Sequence, residues 1–184
     1  MSTVENTVGT PGRDQAASTA TEELLARAGR FAARRRAAGI TEALPARPAT
    51  GVAVVTCMDA RIDVEALFGL AEGDAHILRN AGGVVTEDME RSLAISQHVL
   101  GTSEILLVHH TGCGLAEITD EGFRRSVEAR TGVRPNWSVH AFTDVADDVR
   151  RSIRLLRSSP FLCSTSVRGF VYDVATGELT EVTP

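Results

Sequence analysis

Lysine is absent from all 184 residues, and the 19 basic side chains are all arginine. That absence excludes chemistry that needs an ammonium group on a flexible stem: Schiff-base catalysis, pyridoxal-phosphate enzymes and the lysine of a phosphate-binding loop. A basic excess is missing too. The net charge is −5, which argues against a nucleic-acid partner, since such proteins carry a basic stripe or patch. No apolar run approaches the ~18 residues of a membrane span, so no membrane-embedded segment is expected. Residues 1–20 combine neither a basic start nor an apolar stretch, so no secretory signal is visible and a cytoplasmic location is expected. Cysteine is sparse. Three residues, an odd number, do not make a disulfide framework, which leaves thiols that pack, ligate metal or react.

Hydrophobic residues make up 43% of the chain, enough at this length for one domain with a sizeable core. Residues 1–18 are rich in Thr, Ser, Gly and Ala and read as a disordered arm, followed by a single domain over 19–184. Thr19 and Glu22 form a possible capping box for a helix running to about Ala38 and stopping at Gly39. Its Arg34-Arg35-Arg36 run reads as a solvated helix end, where cations suit the dipole. Val52 to Thr56, Ala75 to Leu78 and Ile105 to Val108 are continuous apolar runs, as in parallel strands covered on both faces. Helical periodicity lies between and after them. Met89, Leu93, Ser96 and Leu100 share one stripe, and Val145, Val149, Ile153 and Leu156 another; a weaker helix spans Asp120 to Arg130. Gly169 to Asp173 and Leu179 to Val182, joined around Thr176-Gly177, read as a hairpin at a sheet edge. The expected fold class is α/β: a central, mostly parallel sheet with flanking helices and a C-terminal edge hairpin.

Cys57 stands at the end of the first strand, in Cys57-Met58-Asp59-Ala60-Arg61. His110 and Cys113 stand at the end of the third, in His109-His110-Thr111-Gly112-Cys113-Gly114. Open α/β sheets place ligands at strand carboxyl ends, so the two tips can meet. Two thiolates and an imidazole suit Zn²⁺, and three protein ligands leave a fourth position open, as in catalytic zinc sites. The His-x-x-Cys spacing lets both side chains turn back on one ion, with Gly112 and Gly114 permitting a tight backbone. Asp59 lies close enough to ligate the metal or to act beside it, and Arg61 can hold it in a bidentate pair. A cysteine by itself is more often core packing, and a lone His-x-x-Cys is a weak signal; matching ligands on two strand ends make the combination stronger. His76, His98 and His140 read as structural or exposed, and His109, pointing away from His110, as a packing or hydrogen-bonding residue. Asn136-Trp137-Ser138 matches a glycosylation acceptor but carries no weight without a secretory signal.

The chain resembles the β-class carbonic anhydrases, particularly the short archaeal-type and actinobacterial-like members. The resemblance runs from about Gly51 to Leu179. It rests on Cys57-x-Asp59-x-Arg61, Arg79-Asn80-Ala81-Gly82, Ser92-Leu93-Ala94 with Leu100-Gly101, His109-His110-Thr111-x-Cys113-Gly114 and Gly169-Phe170-Val171-Tyr172-Asp173. It implies reversible hydration of carbon dioxide to bicarbonate by zinc-bound hydroxide, with Cys57, His110 and Cys113 as ligands and Asp59–Arg61 as catalytic dyad. It also implies a homodimer or larger homo-oligomer whose N-terminal helix embraces the partner. Ala81 and Val84, with the close backbone of Gly82 and Gly83, are the expected substrate pocket. The chain departs from the family at Gly112, where similar short members often carry Asp, and near Pro48 and Ala49, where the plant-type branch has a pocket Gln.

Two alternatives stand beside this reading. Carbonyl sulfide or carbon disulfide, also linear electrophiles, could be hydrolysed on the same scaffold with the same residues. A non-enzymatic structural zinc site could be closed by Cys163 as fourth ligand, although it gives no reason for the Asp59–Arg61 pair.

Overall fold

The computed structural model describes residues 19–183; the arm expected at 1–18 lies outside the described residues. The chain divides into two compact units, one up to Ala43 and one from Leu44 onward. In the first, helix α1 (Ala20–Ala37) starts on the expected capping box, with Thr19 Oγ1 accepting from Glu22 N and Glu22 Oε2 from Thr19 N.

The second unit is built on five strands: β1 (Val52–Cys57), β2 (Ala75–Asn80), β3 (Glu104–His110), β4 (Val167–Tyr172) and β5 (Leu179–Val182). Their order is β2-β1-β3-β4-β5. The first three pairings are parallel and only β4–β5 is antiparallel. The expected mostly parallel sheet with an edge hairpin is thus the observed one. Helices α2 (Val64–Phe68), α3 (Glu87–His98), α4 (Asp120–Thr131) and α5 (Val145–Ser158) fill the connections. Each begins on an Asp or Thr whose side chain accepts a backbone N–H of the first turn: Asp63, Thr86, Thr119 and Asp144.

Strand apolarity is continuous because both faces are covered. Ala53, Val55, Ile105 and Leu107 pack with Met89 and Leu93 of α3 and with Val149, Ile153 and Leu156 of α5. Val54 and Val108 face the other way, with Val64 of α2, Ile62, Val84 and Phe142. At Gly169 of β4 an added Cβ would lie 2.3 Å from Val149 Cγ1 and 2.8 Å from Ile153 Cδ1, so glycine there lets α5 sit directly on the strand.

The order of connections positions the site. From the carboxyl end of β1 the chain leaves through α2 towards β2 at one edge. From the carboxyl end of β3 it leaves through α4 and α5 towards β4 on the opposite side. Two adjacent parallel strands whose loops diverge define a topological switch point, with a crevice at their tips. Cys57 ends β1 and His110 ends β3.

Candidate metal centre

The tips of β1 and β3 bring Cys57, His110 and Cys113 together, with their ligand atoms all within 4.8 Å of one another and all three residues buried. Cys57 arrives on the last residue of its strand. Cys113 is reached by a turn in which Gly112 takes φ +62°, a left-handed conformation that glycine adopts without strain. Gly114 has no such requirement: it opens a single 3₁₀ turn, Gly114–Ala116. His110 holds Nδ1 3.0 Å from the Thr111 carbonyl. A carbonyl only accepts, so Nδ1 carries a proton and Nε2 is the ring atom left to face the two sulfurs.

That Nε2 is buried and has no hydrogen-bond partner. A buried ring nitrogen left without a partner beside two thiols has a cost that a metal ion, taking its lone pair, removes. Burial pushes the Cys57 thiol up, but His110 and the backbone N–H groups at Asp59 and Gly82 outweigh it and leave the thiol at about 7. Burial, with the neighbouring Cys57, pushes Cys113 up, and Cys57 pulls the His110 imidazole above its usual range. Two thiols of unequal acidity around one imidazole lone pair are a donor set that fits Zn²⁺.

Asp59 stands beside this set. Its Oδ2 is 3.8 Å from His110 Nε2, while its carboxylate is engaged by Arg61: Nε to Oδ1 at 2.9 Å, Nη2 to Oδ2 at 2.7 Å and the backbone N–H to Oδ1 at 2.9 Å. The Arg61 guanidinium and its backbone N–H hold the carboxyl well below the usual carboxylate range. Arg61 Nη2 also donates to Gly112 O at 3.0 Å, tying the dyad to the loop that carries Cys113.

The Ala81–Gly83 turn follows β2 and closes over Cys57. Gly82 N–H points at Cys57 Sγ, 3.3 Å away. Gly83 has φ +70°, and an added Cβ would lie 2.9 Å from Thr56 C and Cys57 N, so only glycine lets this turn approach β1. Val84 is buried in the same apolar cluster as Cys57 and Cys113. Three of the four residues expected to form a pocket, Gly82, Gly83 and Val84, therefore adjoin the Cys57 end of the cluster.

Other groups sort themselves by geometry. Cys163 is exposed, with its sulfur against the His98 ring at 3.2–3.3 Å, and belongs to no metal cluster among the described residues. His76 bonds Ser96 Oγ at 2.7 Å. His109, fully buried, faces away from His110: its Nε2 meets Gly83 O at 3.1 Å and its Nδ1 lies 3.2 Å from Asp148 Oδ2 of α5. Sequence reasoning leaves Asp148 unassigned; its stripe neighbours Val149 and Ile153 mark the buried face, but a carboxylate beside them gives no sign of its partner. Arg79 appears in the sequence only as part of a motif. Its side chain donates to Cys57 O at 2.9 Å, Asp59 O at 2.6 Å and Ile62 O at 3.2 Å.

The fold and donor set define a class: an open α/β protein with a three-donor cluster able to hold a metal ion at its switch point. The family described as carbonic anhydrase matches residues 52–154. A β-carbonic anhydrase 1 of Mycobacterium tuberculosis is 53% identical over 149 residues, 80% of this chain and 91% of that protein. The crystal structure of a carbonic anhydrase from Streptococcus mutans superimposes with a TM-score of 0.82 at 42% identity, covering 90% of this chain and 99% of that one. A carbon disulfide hydrolase of Acidianus is 43% identical over 82 residues, 45% of this chain and 40% of its own length. The chain belongs to the β-carbonic anhydrase family, a family of lyases.

Proposed function

We propose that this protein catalyses the reversible hydration of carbon dioxide to bicarbonate, with Zn²⁺ held by Cys57, His110 and Cys113. The observation that carries the reading is the Asp59–Arg61 pair standing beside a soft three-donor set at the switch point. When bound, the ion supplies Lewis acidity that brings a water's pKa from 15.7 to about 7. The chain does the rest. Asp59, kept ionised by Arg61, accepts the hydrogen bond of the attacking oxygen and aims its lone pair at the carbon. Val84 and Ala81 offer an apolar wall to a linear, uncharged substrate, and the Gly82–Gly83 backbone allows it close approach. Release of Asp59 by Arg61 would let the carboxylate take the fourth metal position and close the site.

We also read the protein as a homodimer or higher homo-oligomer. In α1 none of the residues is buried, while Leu24, Leu25 and Phe31 are more than half exposed, an apolar surface suited to a second copy of the chain.

The test is metal analysis with stopped-flow carbon dioxide hydration on purified protein, run against carbonyl sulfide and carbon disulfide. About one zinc per chain and turnover with carbon dioxide are expected. Cys57→Ser, His110→Ala and Cys113→Ser should each lose the ion, and Cys163→Ser should keep both ion and activity. Faster turnover of a sulfur substrate would reassign the reaction on the same residues. Full zinc retention in the three ligand variants would overturn the site, and metal loss in Cys163→Ser would restore a structural site.

A further inference from the structure

The loop that leaves β1 carries a metal ligand at one end and the catalytic pair in its middle, yet the sheet stops holding it almost at once. Cys57 is the last ladder residue, opposite Asn80. Met58 N–H still reaches Asn80 O at 2.8 Å, and beyond that Ile62 N–H turns back to Asp59 O at 3.2 Å. What faces the loop instead is one guanidinium. Arg79 sits beside Thr56 in the β1–β2 register, and its side chain reaches over the end of β1. Its Nε donates to Cys57 O, Nη2 to Asp59 O and Nη1 to Ile62 O. Three carbonyls of one short loop are thus gathered on the fixed fork of a single side chain.

Asp59 is consequently gripped at both ends. Arg61 holds its carboxylate and Arg79 its carbonyl, at 2.7 and 2.6 Å. Arg61 can align the carboxylate only with respect to a backbone that stays in place. A planar group with five N–H donors can meet three convergent acceptors together; a lysine ammonium, compact and on a flexible stem, cannot reproduce that fork.

We propose that Arg79 is a positioning residue: by clamping the carbonyls of Cys57, Asp59 and Ile62 it sets where the Asp59 carboxylate stands relative to the metal ligands. Its kinetic consequence rests on the carbon dioxide reading above; its structural consequence does not. Small displacements of a positioned group cost large factors in rate, so the effect belongs in kcat/KM rather than in metal content.

The experiment compares zinc-loaded wild type, Arg79→Ala and Arg79→Lys. In the alanine variant, zinc per chain should be unchanged and kcat/KM for carbon dioxide should fall by about tenfold or more. Free guanidinium ion, at sub-denaturing concentration, should restore part of that loss in Arg79→Ala and do nothing for wild type. Arg79→Lys should remain well below wild type. Backbone hydrogen exchange should accelerate at Arg61 and Ile62 in the alanine variant while Ala53, Val54 and Val55 of β1 stay protected. Wild-type kcat/KM in Arg79→Ala overturns the proposal, and so does activity lost together with zinc or with protection of β1, since either result assigns Arg79 a merely structural role. Exchange needs no turnover, which separates the two failures. A wild-type protein inactive towards carbon dioxide refutes the proposed reaction, whereas unchanged exchange at Arg61 and Ile62 refutes the role of Arg79.

Discussion

At the scale of single residues, the charge state of the site is set before any ion arrives. Cys57 stands at about 7 because the donors around it outweigh its burial. A thiol must lose its proton to ligate, so zinc binding releases protons and competes with them. Affinity is therefore expected to weaken as pH falls through 7, which chelator competition at pH 6 and pH 8 measures directly. Asp59 takes no part in that dependence: Arg61 keeps it ionised at both values. Arg61 is half exposed, and as an ordinary surface ion pair it would contribute only ~0–1 kcal/mol. As the proposed restraint on Asp59 it would matter far more. Arg61→Ala is expected to keep its zinc and lose activity by a factor on the order of 10² or more, comparable to removing a positioned catalytic group. A cobalt-substituted Arg61→Ala should carry the absorption signature of a carboxylate ligand; near-wild-type rates would remove the dyad from the mechanism.

At the scale of elements, α5 shows what burial demands of sequence. Val149, Ile153 and Leu156 are at most 1% exposed, and they rest against a strand with a glycine where any Cβ would collide. Overfilling such a contact costs typically ~1–3 kcal/mol. Gly169→Val, which adds more than a methyl group, is expected at or above the upper end of that range in urea denaturation, with the zinc ligands untouched. The same packing explains what could be read in advance. The runs 52–56 and 105–108 betray themselves because central strands covered on both faces need apolar residues throughout, the run 75–78 marks a half-buried edge strand, and α3 and α5 betray themselves through one-sided stripes. Strand ends then locate Cys57 and His110, because the apolar run stops where the ligand loop starts. Helix α2, five residues long, is too short to display a period. Arg79 is illegible for a different reason: its partners are carbonyl oxygens, which every residue possesses, so nothing in Cys57, Asp59 or Ile62 announces that they share one donor. His109 and Asp148 meet across β3 and α5, a pairing that depends on the sheet order rather than on spacing along the chain.

At the scale of the whole molecule, α1 forms its own unit with an exposed apolar surface. If it serves a second copy, a chain beginning at Leu44 should run as a smaller species than the full-length protein in light scattering, with its zinc retained; an unchanged mass would dissociate α1 from assembly. Within the second unit, the proposed ligands come from two strand ends and the loop after β3, which approach each other only when β1 and β3 are paired. An ion bound there has no counterpart site in the unfolded chain, so it stabilises the native state by mass action, about 2.7 kcal/mol at a free concentration one hundred times its dissociation constant. Without it, the buried Nε2 of His110 and the two thiols face one another uncompensated. Proteolysis of the transiently open chain follows that free-energy difference, and margins of 1–2 kcal/mol change protein abundance several-fold. A chelator should accordingly hasten digestion of the wild type far more than of Cys57→Ser. In a cell short of zinc the enzyme is then expected, on the proposed site, to be cleared as well as silenced, its copy number tracking the supply of an ion that would bridge the ends of its two central strands.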